Sequence, residues 1–132
     1  MLIILGSDTI SKTLSELILM GWKNAPKRYE EYIGFVYCIT EIKTNKKYIG
    51  IKKFWTKKKK ETDWKSYVSS SGKLKGLDVN NSRKFKKEIT HLCKTVTELK
   101  TTEAYIQLTY YMTGRWNELY NEMINIRLRI RK

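Results

Sequence analysis

The sequence is short of several things at once. In 132 residues it holds two cysteines, one proline and one histidine, and 13 acidic side chains stand against 27 lysines and arginines. Each scarcity removes a class of answer. Cys38 and Cys93 are far apart, with none of the spacing of a zinc site or a disulfide framework, so both are expected as reduced thiols in strands. The lone His91 has no evident nucleophile, and Ser69, Ser70 and Ser71 lack the paired base that a serine hydrolase needs. The apolar opening Met1–Leu5 is short, and Asp8, Lys12 and Glu16 interrupt the residues after it. Neither a signal peptide nor a membrane span is read there, and a cytoplasmic protein is expected. No repeat or linker appears, and Pro26 marks a joint inside one domain.

What is present is a core and a charge. Hydrophobic residues make up 41% of the chain and aromatics 12%, enough for one domain to bury a real interior. The net charge of +14, with a pI near 9.8, exceeds what solubility asks for. That excess implies a polyanionic partner, with nucleic acid ahead of an anionic membrane surface.

Ile10, Leu14, Leu17 and Ile18 recur at helical spacing, with Ser7 or Asp8 to cap the start and Gly21 to end the run. The reading is a helix over Ile10–Met20 within an N-terminal extension of about thirty residues, a candidate homodimer surface if it does not lie on its own sheet. Gly34–Thr40 and Lys47–Lys53 are rich in β-branched and aromatic residues around the turn Lys43-Thr44-Asn45-Lys46, and read as a β-hairpin. Trp55–Asn81 is polar and carries Lys57-Lys58-Lys59-Lys60, so it reads as an exposed excursion. Phe85–Lys94 is expected as a third strand and Thr101–Thr113 as a helix stopped by Gly114. On that helix Ala104, Leu108 and Tyr111 share one face, and Glu103, Gln107 and Tyr110 an adjacent, partly polar one. The segment from Leu119 to Ile130 fits both a helix stripe and a strand alternation, and helix is preferred. The fold class is α+β, a small three-stranded antiparallel sheet flanked by helices, in one domain over residues 1–132.

Within the hairpin, symmetry about Ile42 and Lys43 sets Tyr37 directly opposite Tyr48, so that both phenols leave the same face. Period-two alternation adds Lys52 to that face and sends Val36, Cys38, Ile49 and Ile51 to the other, the expected core face.

Phe35-Val36-Tyr37-Cys38-Ile39, the spacing to Tyr48-Ile49-Gly50, and the later Asp63-Trp64-Lys65-Ser66-Tyr67-Val68-Ser69-Ser70 resemble the GIY-YIG nucleases, in particular their phage-encoded, homing-endonuclease-related, Seg-type branch. The likeness covers roughly Gly34 to Asn125, with Phe35 where the family name places glycine. It implies a DNA endonuclease that uses Mg2+ or Mn2+, works without a membrane and, if phage-encoded, acts in the host cytoplasm. It implies that a hairpin tyrosine helps activate water, through Tyr37 and Tyr48, that a cation steadies the phosphate, and that Glu103 binds one metal. Asn121 in Tyr120-Asn121 matches the family's late asparagine.

The family usually supplies an arginine after the second motif, but this chain has none between Arg28 and Arg83. Lys52, Lys53, Lys58 and Lys65 are the substitutes, with Lys52 preferred for sharing the tyrosine face. Lysine gives a point charge without arginine's bidentate fork, so cleavage is expected to be weakened. Phosphate contacts are assigned to Lys53, Lys57, Lys58, Lys59, Lys60, Lys65, Ser69, Ser70, Arg127 and Arg131. Two other readings stay open: a nucleic-acid binder that has lost cleavage and acts as a regulator or competitor, and a basic module for an acidic protein.

Overall fold

The structure, a computed structural model, describes residues 21–69 and 71–124. The helix expected over residues 10–20, with its proposed dimer surface, and Ser70, Arg127 and Arg131 lie outside the described residues.

Three antiparallel strands, β1 (Gly34–Glu41), β2 (Lys47–Lys53) and β3 (Phe85–Cys93), form one sheet in the order β2-β1-β3. A short helix α1 (Gly72–Lys75) lies between β2 and β3, and a long helix α2 (Val96–Met112) comes after β3. The central strand β1 reads Gly-Phe-Val-Tyr-Cys-Ile-Thr-Glu and is buried on both faces over its first six residues, as suits a strand with neighbours on each side and a layer above and below.

The hairpin turn sits one residue later than symmetry about Ile42 and Lys43 requires. Glu41 N–H donates to the Lys46 carbonyl at 2.8 Å, and Asn45 closes the loop in the left-handed region at φ 60°, which asparagine tolerates. The register is therefore Tyr37 opposite Gly50 and Tyr48 opposite Ile39, a slip of two residues from the expected pairing. A slip of two preserves strand parity, so Tyr37, Tyr48 and Lys52 still share a face.

That face is no solvent-exposed polar surface. It carries Phe35, Tyr37, Ile39, Phe85 and Ile89 into the larger core cluster, completed by Trp22, Phe54, Trp64, Leu74 and Val79. Three of these, Trp64, Leu74 and Val79, come from Trp55–Asn81, so the segment expected as an exposed excursion instead folds back as the covering layer. Its polar composition hides three well-spaced apolar anchors. The opposite face joins Val36, Cys38, Ile49 and Cys93 to Leu99 of α2 and to Leu119. Both cysteines are free and buried in strands, as expected.

Helix α2 begins five residues before Thr101. Thr95 Oγ1 accepts from Glu98 N–H at 3.0 Å and Glu98 accepts from Lys94 N–H at 3.4 Å, a reciprocal cap that fixes the start. Gly114, at φ 75°, ends it, with Arg115 N–H donating back to the Tyr110 carbonyl at 2.7 Å. The buried positions are Leu99, Ala104 and Gln107, whereas Tyr111 is 61% exposed, so the face expected from Ala104, Leu108 and Tyr111 is not the one that packs.

The segment after α2 departs most from expectation. A single 3-10 turn (Trp116–Glu118) leads into extended chain instead of a helix through residue 124. Leu119 bridges Lys47 in parallel and Tyr120 N–H donates to the Lys47 carbonyl. The outer edge of β2 offers unpaired backbone groups, and satisfying them outweighs a weak helical stripe.

Candidate active site

Gly50 faces Tyr37 across the ladder, and a Cβ there would collide with the Tyr37 phenol and crowd Tyr48 at 2.9 Å. The small residue in Tyr48-Ile49-Gly50 thus lets the Tyr37 ring lie across β2 beside Tyr48, with ring centroids 6.1 Å apart. The two phenols expected to meet do so diagonally. They differ in setting: Tyr48 is half-buried, while Tyr37 is 1% exposed. Burial above all, then the neighbouring phenols Tyr67 and Tyr48, push the Tyr37 hydroxyl far above its ordinary value, opposed by a hydrogen bond with Ser69. Tyr37 therefore stays protonated and suits positioning better than proton removal.

Tyr67 completes the cluster, and sequence reasoning gives it no role although it lies inside the Asp63–Ser70 motif. Its ring stands edge-on to Tyr37 at 6.2 Å, and Lys52 Nζ sits 4.1 Å from its centroid. Lys52 also pairs with Asp63 at 2.8 Å, and this partner holds the Asp63 carboxyl below its usual range. A second unforeseen cation, Lys87, is 4% exposed and donates to the Tyr67 carbonyl at 2.6 Å and to Asn80 Oδ1 at 2.9 Å. Burial lowers its pKa to about 8. It fastens the covering layer to β3, and strand parity alone would have placed it on this face.

The lysine candidates for the missing arginine separate cleanly. Lys52 stands among the tyrosines. Lys65 instead lies over the Trp64 ring and pairs with Glu61 at 3.9 Å. Lys53 is exposed at the end of β2, and Lys57, Lys58, Lys59 and Lys60 are exposed in a turn closed by Thr56 and Lys60. Ser69, expected on phosphate, is 6% exposed and accepts from Ser71 N–H at 3.0 Å, so its role is internal.

Asn121 grips the free edge of β2 as a strand would: its Nδ2 donates to the Ile49 carbonyl at 2.8 Å and its Oδ1 accepts from the Ile49 N–H at 2.9 Å. Gln107 Nε2 donates to the same carbonyl at 3.2 Å, and its Oε1 is the one buried side-chain oxygen or nitrogen without a partner among the described residues. Glu103 lies one turn before Gln107 on α2, half-buried, with its carboxyl raised by burial alone. Helix α2 packs on the face opposite the phenols, so acid and phenols do not share a face but lie on either side of β2 and its free edge. An open cleft of about 450 Å³ lies along that edge, lined by Tyr48, Tyr120, Asn121, Ser71, Lys73 and Glu122.

Among the described residues no three His, Cys, Asp or Glu side chains gather into a metal cage. A magnesium ion commonly takes one or two carboxylates and fills its shell with water and phosphate, so a lone carboxylate beside an unpartnered amide oxygen is a compatible donor set.

A three-stranded antiparallel sheet whose hairpin gathers two tyrosines and a lysine, with a glutamate on the helix behind the edge strand, is the arrangement expected of a GIY-YIG nuclease domain. The family model described as "Putative endonuclease segE, GIY-YIG domain" matches residues 20–124, and the chain belongs to this SegE GIY-YIG endonuclease family. No curated protein and no solved structure matches it.

Proposed function

We propose that the protein is a metal-dependent endonuclease that hydrolyses phosphodiester bonds in DNA. The observation that carries this reading is the gathering of Tyr37, Tyr48, Tyr67 and Lys52 on one face of the hairpin. Tyr48, the hairpin tyrosine that lines the open cleft, relays a proton. Its oxygen takes one from water and passes its own hydroxyl proton to solvent as the water oxygen bonds to phosphorus, the ester P–O bond breaks and the departing oxygen is protonated by water. Lys52, whose ammonium lies 4.1 Å from the Tyr67 ring centroid, steadies the phosphate. Glu103 would hold one divalent ion, Mg2+ or Mn2+, with the Gln107 amide one helical turn on as a second donor, and such an ion would supply Lewis-acid stabilisation of charge at the phosphate. Asn121 positions β2, and the exposed lysines Lys53, Lys57, Lys58, Lys59, Lys60 and Lys65 contact the DNA backbone.

Supercoiled plasmid incubated with Mg2+ tests this. Wild type is expected to nick, and Tyr48→Phe, Lys52→Met and Glu103→Ala each to lose about a hundredfold or more in rate while still binding DNA. Variants that nick as fast as wild type would overturn the residue assignment. A second reading, a binder with impaired cleavage that regulates or competes with a nuclease, is favoured by Asp63 already sitting 2.8 Å from Lys52 and by the lack of the usual arginine. DNA binding by wild type without nicking selects it.

A further inference from the structure

A second cleft lies away from Tyr37, Tyr48 and Tyr67, where β1 begins and where β2 and β3 end. It encloses about 640 Å³ between Tyr32, Ile33 and Trp55, and Lys53, Lys57, Lys59 and Lys94 stand around it. None of the four lysines forms an ion pair among the described residues.

The Trp55 indole is fixed before any ligand arrives. Its Nε1 donates to the Tyr32 carbonyl at 3.0 Å, and its ring stacks on Tyr29 at 5.6 Å with an interplanar angle of 24°. Tyr29 is held in turn by a 2.7 Å hydrogen bond to Glu61. A planar group entering the cleft can extend the Tyr29–Trp55 stack at little entropic cost, since the platform is already ordered. Lys59 sits in the left-handed region at φ 60°, where lysine is strained and glycine is at ease. A cation at the rim is kept there at a conformational cost.

Glu30 and Glu31 also line the cleft. They repel a bare anion, but they can accept hydrogen bonds from the amino edge of a base, as carboxylates do from cytosine. Aromatic platform, amino-edge acceptors and a lysine rim together match one ligand class.

We propose that this cleft is a nucleobase subsite, which takes one unstacked base of a single-stranded or locally opened strand onto Trp55 while the four lysines hold the flanking phosphates. The inference rests on the nucleic-acid function proposed for the tyrosine face and adds a second contact to it. Lys53 and Tyr48 are five residues apart on β2, roughly 17 Å at the strand rise. At the duplex rise of about 3.4 Å per nucleotide the captured base would lie on the order of five nucleotides from the bond being cut, and fewer on an extended strand.

The test is equilibrium binding, in EDTA, of a short oligodeoxycytidine and of an abasic oligonucleotide of equal length. Wild type is expected to prefer the base-bearing strand by about tenfold, within the span of base–aromatic stacking. Trp55→Leu is expected to erase that preference, and Trp55→Phe, which keeps a ring but loses the bond to Tyr32, to retain part of it. Lys59→Gly is expected to weaken both strands about threefold with an unchanged or higher Tm, because the backbone strain is relieved as the charge is lost. Equal affinity of wild type for the two strands, or competition by polyglutamate as strong as by oligodeoxycytidine, would overturn the proposal. If Trp55→Leu does not fold, the wild-type comparison and Trp55→Phe decide. Plasmid nicking is read separately with Mg2+: a base preference without nicking removes the nuclease reading alone, and nicking without a base preference removes the subsite alone.

Discussion

At Gly50 the constraint is one of space. Its neighbour across the ladder is the Tyr37 ring, which occupies the volume a side chain would need. Gly50→Ala is expected to cost about 1–3 kcal/mol in urea unfolding, the usual penalty of overfilling a packed site, and to displace the tyrosines enough to slow nicking. Glu103 makes a different demand. Burial alone raises its carboxyl above the ordinary 4.5, so the folded chain holds that proton more firmly than the unfolded one. Its contribution to stability is full below that ordinary value and is lost as pH rises through the folded one. A divalent cation favours the ionised form instead. Mg2+ is therefore expected to raise Tm more at about pH 8 than at about pH 5, and Glu103→Gln to abolish the increment. A wild-type Tm indifferent to Mg2+ at the higher pH would remove Glu103 as a ligand. That Tyr37, Tyr48 and Lys52 share a face is legible in the sequence because strand parity is local, whereas Glu103 is named only by the resemblance and its place on the opposite face is not legible. Nor are Tyr67, Asp63 and Lys87, since their importance arises only when the covering layer folds onto the sheet.

Among the elements, the hairpin reads with correct strands and a turn misplaced by one residue. The error is harmless because parity, not register, decides which side chains share a face. Helix α2 reads as starting too late because the Thr95–Glu98 cap lies upstream of the obvious apolar repeat. The last segment reads as helix because its strand pairing is a long-range event at the edge of β2, invisible in local periodicity. The Trp55–Asn81 stretch carries the most consequential misreading, for it brings Asp63 to Lys52. A phosphate entering the tyrosine face must compete with that carboxylate for the same ammonium group. Asp63→Asn is thus expected to tighten DNA binding severalfold and to speed nicking, measured by gel shift and plasmid assay. Slower nicking with unchanged affinity would mean that Asp63 orients Lys52 rather than masking it.

For the whole molecule, charge is the most legible property and its arrangement the least. Among the described residues, exposed lysines stand in turns and at strand ends, with Lys57–Lys60 and the cleft around Trp55 at one end of the sheet. With about six phosphate contacts, DNA affinity is expected to fall on the order of a thousandfold between about 50 and 200 mM salt. An affinity flat across that range would argue that the charge serves something other than DNA. No helix among the described residues is long and apolar enough to cross a membrane.

Both margins of the sheet are already occupied from within. Asn121, Gln107 and Tyr120 take up backbone groups on one side, and Lys23 bonds to the Lys87 carbonyl and the Ile89 amide on the other. A strand arriving from a neighbouring molecule would find no free rung where these contacts sit. At those rungs the sheet is insulated against templated, amyloid-like stacking.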